Sequence, residues 1–315
     1  MTYGEKDINK GEVSGVSLID RWRDDPYPVR LIQNPDGSTD GCDEPIRIPE
    51  EESHKDVAQH CPDTIAGAIV GDIVGSIYEF NNIKTKDFPL FTDECFFTDD
   101  TVMTIAIYEG LRNGGKPDDY IDSMKKYGRM FPKESYGGNF NRWLKSADRK
   151  PYNSFGNGSA MRVSAIVEHS KSLEDAERNA EISAAVTHNH PEGIKGAKAT
   201  VAAAFLAKNG KSKEEIKAYI ESTYKYDLNS TLDEIRPTYG FNETCQKTVP
   251  EAIIAFLESK DFEDAIRNAI SLGGDSDTLA AIAGTIAGAA YGVPLDIWEN
   301  AEYYLDERIN DAFSE

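Results

Sequence analysis

Gly67-Ala68-Ile69-Val70-Gly71-Asp72-Ile73-Val74-Gly75-Ser76 is the stretch on which the fold turns. Its glycines stand four residues apart, and residues at that spacing share one face of an α-helix. A glycine inside a helix costs about 1 kcal/mol relative to alanine, so a stripe of them needs an offset, which the close approach of a second backbone supplies. Gly284 and Gly288 repeat the spacing near the carboxy end, among Ala and Ile. These two segments are expected to be the central helices.

Around them, from Asp63 onward, apolar and small residues recur at helical spacing in segment after segment, with Gly, Pro and Asn between. The pattern predicts helices at 63–78, 100–111, 117–130, 140–146, 159–168, 173–186, 191–209, 213–224, 249–258, 261–272, 277–291 and 295–305. No stretch alternates as a strand does. The fold class is all-α, a globular bundle of more than four helices. Residues 1–60 differ: they are polar, carry Pro26, Pro28, Pro35, Pro45 and Pro49, and hold no sustained period, so they are expected to form an extension to a domain over 61–315. Within them only Gly15 to Trp22 and Val29 to Ile32 have the character of sticking segments.

The chain has 315 residues and a net charge of −21, which disfavours nucleic acid and acidic membranes as general partners. Cys42, Cys61, Cys95 and Cys245 are scattered without a C-x-x-C pair, which suits a reducing, cytoplasmic location. The start lacks the apolar run of a secretory signal, and no segment has the length and apolarity of a membrane span.

Two acidic knots open helices: Thr98-Asp99-Asp100-Thr101 and Gly273-Gly274-Asp275-Ser276-Asp277-Thr278. Asp, Ser and Thr at a helix start also act as caps, and capping explains one such knot. Two of the same design, each leading into an apolar helix, together provide an all-oxygen ligand set, which selects Mg, Mn or Ca over Zn. The Asn153-Ser154-Phe155-Gly156-Asn157-Gly158-Ser159 loop has glycines ahead of an expected helix, a pattern that closes backbone amides on phosphate in some proteins and makes a plain turn in others.

Taken in order, Gly67 to Ser76, Thr98 to Thr101, Gly156-Asn157-Gly158-Ser159-Ala160-Met161-Arg162, Thr187-His188 and Gly274 to Thr278 resemble the motifs of the ADP-ribosylglycohydrolase family, over about Ile65 to Pro294. The resemblance implies an all-helical domain that cleaves the glycosidic bond of ADP-ribosylated proteins or small ADP-ribose conjugates. It implies two Mg2+ or Mn2+ ions held by Thr98, Asp99 and Asp100 and by Asp275, Asp277 and Thr278. The implied catalytic set is Glu79, matched by position to a glutamate on a mobile loop, with Asp100 and Asp277. Asn153, Ser154, Phe155, Gly156 and Asn157 match a wall for the adenine and diphosphate side, and His188 a histidine near the distal ribose or phosphate. Asp72 stands as a second buried acid or as a packing partner of a helix terminus.

The acceptor does not follow from the resemblance, since Glu134 to Leu144 aligns with neither arginine-specific nor serine-specific members. Two other functions stand beside this one: an immunity or antitoxin protein that blocks an ADP-ribosylating partner through residues 1–60, and a hydrolase of free O-acetyl-ADP-ribose. Intact acidic knots and Glu79 favour catalysis, whereas dependence on Gly15 to Ile32 favours blocking.

Overall fold

The two glycine stripes face each other. In the computed structural model, which describes residues 61–313, the chain runs through α1 (Asp63–Ser76), α2 (Asp99–Arg112), α3 (Pro117–Met130), α4 (Gly138–Lys145), α5 (Ser164–His169), α6 (Leu173–Ala185) and α7 (Pro191–Lys208). It continues through α8 (Lys213–Tyr224), α9 (Leu232–Ile235), α10 (Cys245–Leu257), α11 (Phe262–Ile270), α12 (Ser276–Tyr291), α13 (Leu295–Glu302) and α14 (Glu307–Asn310). The expected extension, with its Gly15 to Trp22 and Val29 to Ile32 segments, lies outside the described residues.

A Cβ built on Gly67 would fall 2.2 Å from the Gly284 carbonyl oxygen, and one on Gly71 would fall 2.1 Å from that of Ala280. Gly284 meets Gly67 O at 2.1 Å in the same sense, and Gly288 meets Asp63 O at 2.1 Å. The stripes therefore let α1 and α12 pack backbone against backbone, with no room for a side chain at these positions. Both helices are buried along nearly their whole length, so they have no polar face, as a central pair requires. Around them α2, α7, α10 and α11 contribute the rest of a core rich in Ile, Val and Ala.

The longer helices fall close to where the periodicity puts them, with two exceptions, and the four-residue α9 and α14 are not among the expected helices. A single helix is expected over 159–168, but the chain forms a 3-10 turn at Asn157–Ser159 and begins α5 only at Ser164. Ala160 N and Met161 N both return to Asn157 O, at 2.7 and 3.1 Å, so the turn closes on itself while Ser159 and Arg162 stay wholly buried. α10 begins at Cys245, four residues ahead of the expected start at Val249, and carries Pro250 inside it. Among the described residues no strand forms, and one isolated antiparallel bridge joins Gly156 to Thr244. No described helix is long and apolar enough to cross a membrane. Cys61, Cys95 and Cys245 are free thiols, all buried.

Candidate active site

Asp72 organises the first acidic knot. Its Oδ2 accepts the amides of Thr98 (2.9 Å) and Thr101 (3.0 Å) and the Thr101 hydroxyl (2.5 Å), while Oδ1 accepts the Thr98 hydroxyl (2.7 Å). A carboxylate from α1 thus satisfies free donors at the start of α2, the need every helix N-terminus has. Both readings of Asp72 have a counterpart in the geometry: it holds a helix terminus, and it is a wholly buried acid beside Asp100 and Asp277. Thr98 caps the same helix, accepting Asp100 N at 3.2 Å. The Thr98 hydroxyl is fully buried and keeps one lone pair beyond these two bonds.

The second knot reaches the first because Gly75 has no side chain. A Cβ there would fall 2.5 Å from Asp277 Cα. The turn before α12 uses Gly273 and Gly274 at φ of +68° and +76°, a backbone region that glycine enters freely. Asp277 Oδ1 accepts the Thr278 amide at 2.9 Å, and the Thr278 hydroxyl donates to Asp100 Oδ2 at 3.3 Å, so the two knots touch. Asn157 Nδ2 donates to Asp275 Oδ2 at 2.7 Å and lies 3.1 Å from Thr248 Oγ1.

Carboxylate oxygens of Asp72, Asp100 and Asp277 lie within 4.8 Å of one another, as do those of Glu79, Asp275 and Asp277. Asp100 Oδ1 is buried and has no hydrogen-bond partner among the described residues, and leaving such an atom unpaired ordinarily costs on the order of 1–3 kcal/mol. Burial, followed by the charge of neighbouring carboxylates, raises the pKa of Asp100 and Asp277 well above the usual range. Burial and the same neighbours push Asp99 up to about 8 and Glu79 up to about 9. Asp275 rises to about 6, again by burial, moderated by its hydrogen bonds. Like charges crowded out of water resist ionising together, and a divalent cation relieves that. The donor set is all oxygen, without Cys or His, which suits Mg2+ or Mn2+.

The carboxylates form the floor of a cleft of about 390 Å³. Asn153 through Gly158 make one wall, with Tyr152 and His188 beside them, and Glu243 and Thr244 close it from the chain segment before α10. Asn153 sits in the left-handed region at φ 58°, where asparagine is among the few tolerated residues. Its amide is held by Asn189 Oδ1 at 2.8 Å. The Gly156 amide goes to Ser154 Oγ at 3.1 Å and the Asn157 amide to Glu243 O at 2.8 Å. These two amides are occupied within the protein, and the loop leads into a 3-10 turn at Asn157–Ser159 in place of the expected helix start. Phe155 is 45% exposed with its ring 5.3 Å from that of His190, and His190 caps α7 by accepting Glu192 N at 3.1 Å. Ser135, Gly137, Gly138, Asn139 and Phe140 form the outer rim.

A family profile described as ADP-ribosylglycohydrolase matches residues 53–314. This chain belongs to the ADP-ribosylglycohydrolase family. It is 27% identical to mouse ADP-ribosylhydrolase ARH3, over 73% of this chain and 83% of that one. It is 29% identical to the ADP-ribosylarginine hydrolase Tri1 of Pseudomonas putida, over 73% of this chain and 70% of that one. A solved structure described as an ADP-ribosylglycohydrolase-related protein complex superposes with a TM-score of 0.63 at 23% identity, covering 80% of this chain and 94% of the other, which shows the shared fold. As a family member the protein is a hydrolase of glycosidic bonds, and its Glu79, Asp99, Asp100, Asp275, Asp277 and Thr278 converge on one cleft floor.

Two cleft residues carry no signal in the sequence as functional groups. Glu243 arrives from a segment without periodicity, and Arg162, part of a motif, gave no sign that its guanidinium would be wholly buried behind the cleft wall.

Proposed function

We propose that the protein removes ADP-ribose from an acceptor by metal-dependent hydrolysis of the glycosidic bond, with Thr98, Asp99 and Asp100 and then Asp275, Asp277 and Thr278 holding two Mg2+ or Mn2+ ions. The observation that carries this reading is the meeting of both acidic knots and Glu79 at the floor of one cleft whose wall bears Phe155, Asn157 and His188. Asp100 Oδ1, buried and without a hydrogen-bond partner among the described residues, is an oxygen suited to a cation. When bound, such ions fix the ribose diol and lower the pKa of bound water.

The chain's own residues divide the remaining work. Glu79, buried beside Asp275 and Asp277, is placed to move a proton at the scissile bond, one of the two carboxyl roles that cleavage through an oxocarbenium-like state uses. Phe155 offers a ring face for the adenine, as aromatic side chains commonly do for bases. Asn157 steadies Asp275, and Glu243 with the floor keeps the cleft acidic. Similarity to an ARH3 enzyme and to an ADP-ribosylarginine hydrolase supports an ADP-ribosyl substrate.

Incubation with ADP-ribosyl-arginine, ADP-ribosyl-serine and O-acetyl-ADP-ribose, with and without Mg2+ or Mn2+, tests the proposal. Free ADP-ribose is expected from at least one of them, and only with metal. Full turnover in excess chelator removes the metal role, and no release from any substrate with metal present removes the function.

A further inference from the structure

His188 has one ring nitrogen engaged with the protein and the other turned to the cleft. Nδ1 lies 2.8 Å from Thr187 Oγ1, and Thr187 Oγ1 lies 2.9 Å from Arg162 Nη2. A guanidinium carries donors and no acceptor, so Arg162 donates and a lone pair of the Thr187 hydroxyl accepts. Arg162 Nη2 also donates to Ser183 O at 3.2 Å, which pins the guanidinium between the two oxygens. The hydroxyl has a single proton, and Oγ1 makes no further hydrogen bond among the described residues. That proton points at His188 Nδ1, which is therefore the acceptor. Were Nδ1 the donor, Thr187 Oγ1 would receive two protons and its own would have no taker.

A neutral imidazole holds one N–H, and here it is left on Nε2. Burial, followed by the charge of Arg162, lowers the His188 pKa well below its usual value, so the ring stays neutral. Nε2 is 3.5 Å from where a Cβ on Gly158 would sit and 3.6 Å from one on Gly156. The two glycines leave this nitrogen open to the cleft, and it makes no hydrogen bond to the described residues. Behind it Arg162 is 0% exposed, with Nε and Nη1 unpartnered. No described carboxylate forms an ion pair with it.

We propose that Arg162, acting through Thr187, fixes His188 as the Nε2–H tautomer, so that the ring donates a hydrogen bond to a ligand oxygen at the Gly156–Gly158 wall. Arg162 is a positioning residue in this arrangement and touches no ligand. Its guanidinium, set over the Phe140 ring at 5.7 Å and without an ion pair among the described residues, favours an anionic oxygen, and, resting on the function proposed above, that oxygen belongs to the diphosphate of ADP-ribose. The tautomer itself does not depend on that reading.

Long-range 15N–1H correlation spectra of the full chain labelled at its five histidines, with the His188 signals located by their loss in His188→Gln, test the proposal. Wild type is expected to show a protonated Nε2 and a bare Nδ1. Thr187→Val, which keeps the shape and cannot donate, is expected to lose that preference and to weaken ADP-ribose binding roughly tenfold, the worth of one charge-assisted hydrogen bond. Thr187→Ser is expected to restore both. A protonated Nδ1 in wild type, or a His188 spectrum unchanged in Thr187→Val, overturns the proposal. The wild-type spectrum decides the tautomer even if the valine variant does not fold. The expected tautomer in a wild-type protein that fails to bind ADP-ribose in Mg2+ sinks the ligand reading and leaves the relay standing.

Discussion

The side-chain amide of Asn82 bonds Gly274 in both directions, donating from Nδ2 to the Gly274 carbonyl at 2.9 Å and accepting the Gly274 amide on Oδ1 at 2.7 Å. The same Nδ2 lies 2.7 Å from Tyr78 O and 2.8 Å from Glu79 O. One side chain thereby ties the backbone that carries Glu79 to the glycine turn that presents Asp275. Lys84 reinforces the tie, donating to the carbonyls of Leu272 and, at 2.7 Å, Tyr239.

Asn82→Ala is therefore expected to reduce kcat/KM by on the order of 10- to 100-fold through loose placement of Glu79, and to cost stability only about 1 kcal/mol. Steady-state kinetics beside thermal melts separate the two effects. A rate loss no larger than the stability loss accounts for would make Asn82 a plain loop anchor.

How much of this was legible in the sequence differs from element to element. The α1–α12 pair was readable because its cause is local: glycines at a helical period state a need for close backbone approach without naming the partner. The two acidic knots were readable for the same reason, each being a contiguous run of oxygen donors. The Asn82–Gly274 tie joins positions 192 residues apart, and an asparagine in a loop carries no sign of what it will meet. The break between Asn157–Ser159 and α5 was hidden because Ala160, Met161 and Val163 suit a helix; the burial of Arg162 and Ser159 against other parts of the core decides it. Pro250 misplaced the start of α10, since a proline near a helix beginning usually marks its first turn.

Asp100→Asn and Asp277→Asn each remove one charge from the cleft floor. Divalent-metal affinity by calorimetry is expected to fall on the order of 10²-fold or more, and activity to be lost with it. In chelator the variants are expected to melt no lower than wild type, because a crowded carboxylate has been neutralised. Either variant with near-wild-type rate returns that aspartate to helix capping.

Glu79→Gln keeps the size of the side chain and removes its ability to exchange a proton. Turnover is expected to drop by about 10²-fold or more, the usual worth of a positioned acid or base, while ADP-ribose still binds in a calorimetric titration. An unchanged rate would falsify the catalytic assignment.

Glu251, on α10, is a separate case of a half-buried acid. Its Oε2 has no hydrogen-bond partner among the described residues, and burial pushes its pKa up to about 7 from an ordinary 4.5. A folded-state pKa above the unfolded one means the associated stability is complete below about pH 4.5 and is lost as pH rises through 7. Glu251→Gln is expected to leave the melting temperature nearly unchanged at pH 5 and to raise it by a few degrees at pH 8, a gain on the order of 1–3 kcal/mol. Equal differences at both pH values would show that the carboxyl stays charged throughout.

The last test concerns the division of the chain at about residue 60. Every motif that builds the cleft lies beyond it, from Gly67 through Thr278, and the close backbone contacts between α1 and α12 lie within residues 63–291. We propose that the domain over 61–315 contains the metal ligands, Glu79 and the Phe155 wall, and that residues 1–60 supply a partner contact or control of access. A chain beginning at His60 is expected to show the helical circular dichroism of the full protein, to bind Mg2+ or Mn2+ with similar affinity and to cleave a small ADP-ribosylated substrate at a similar rate. Affinity for a protein partner of the full chain is expected to fall. Normal folding and metal binding with loss of small-substrate turnover would place part of the active site within residues 1–60 and move the boundary.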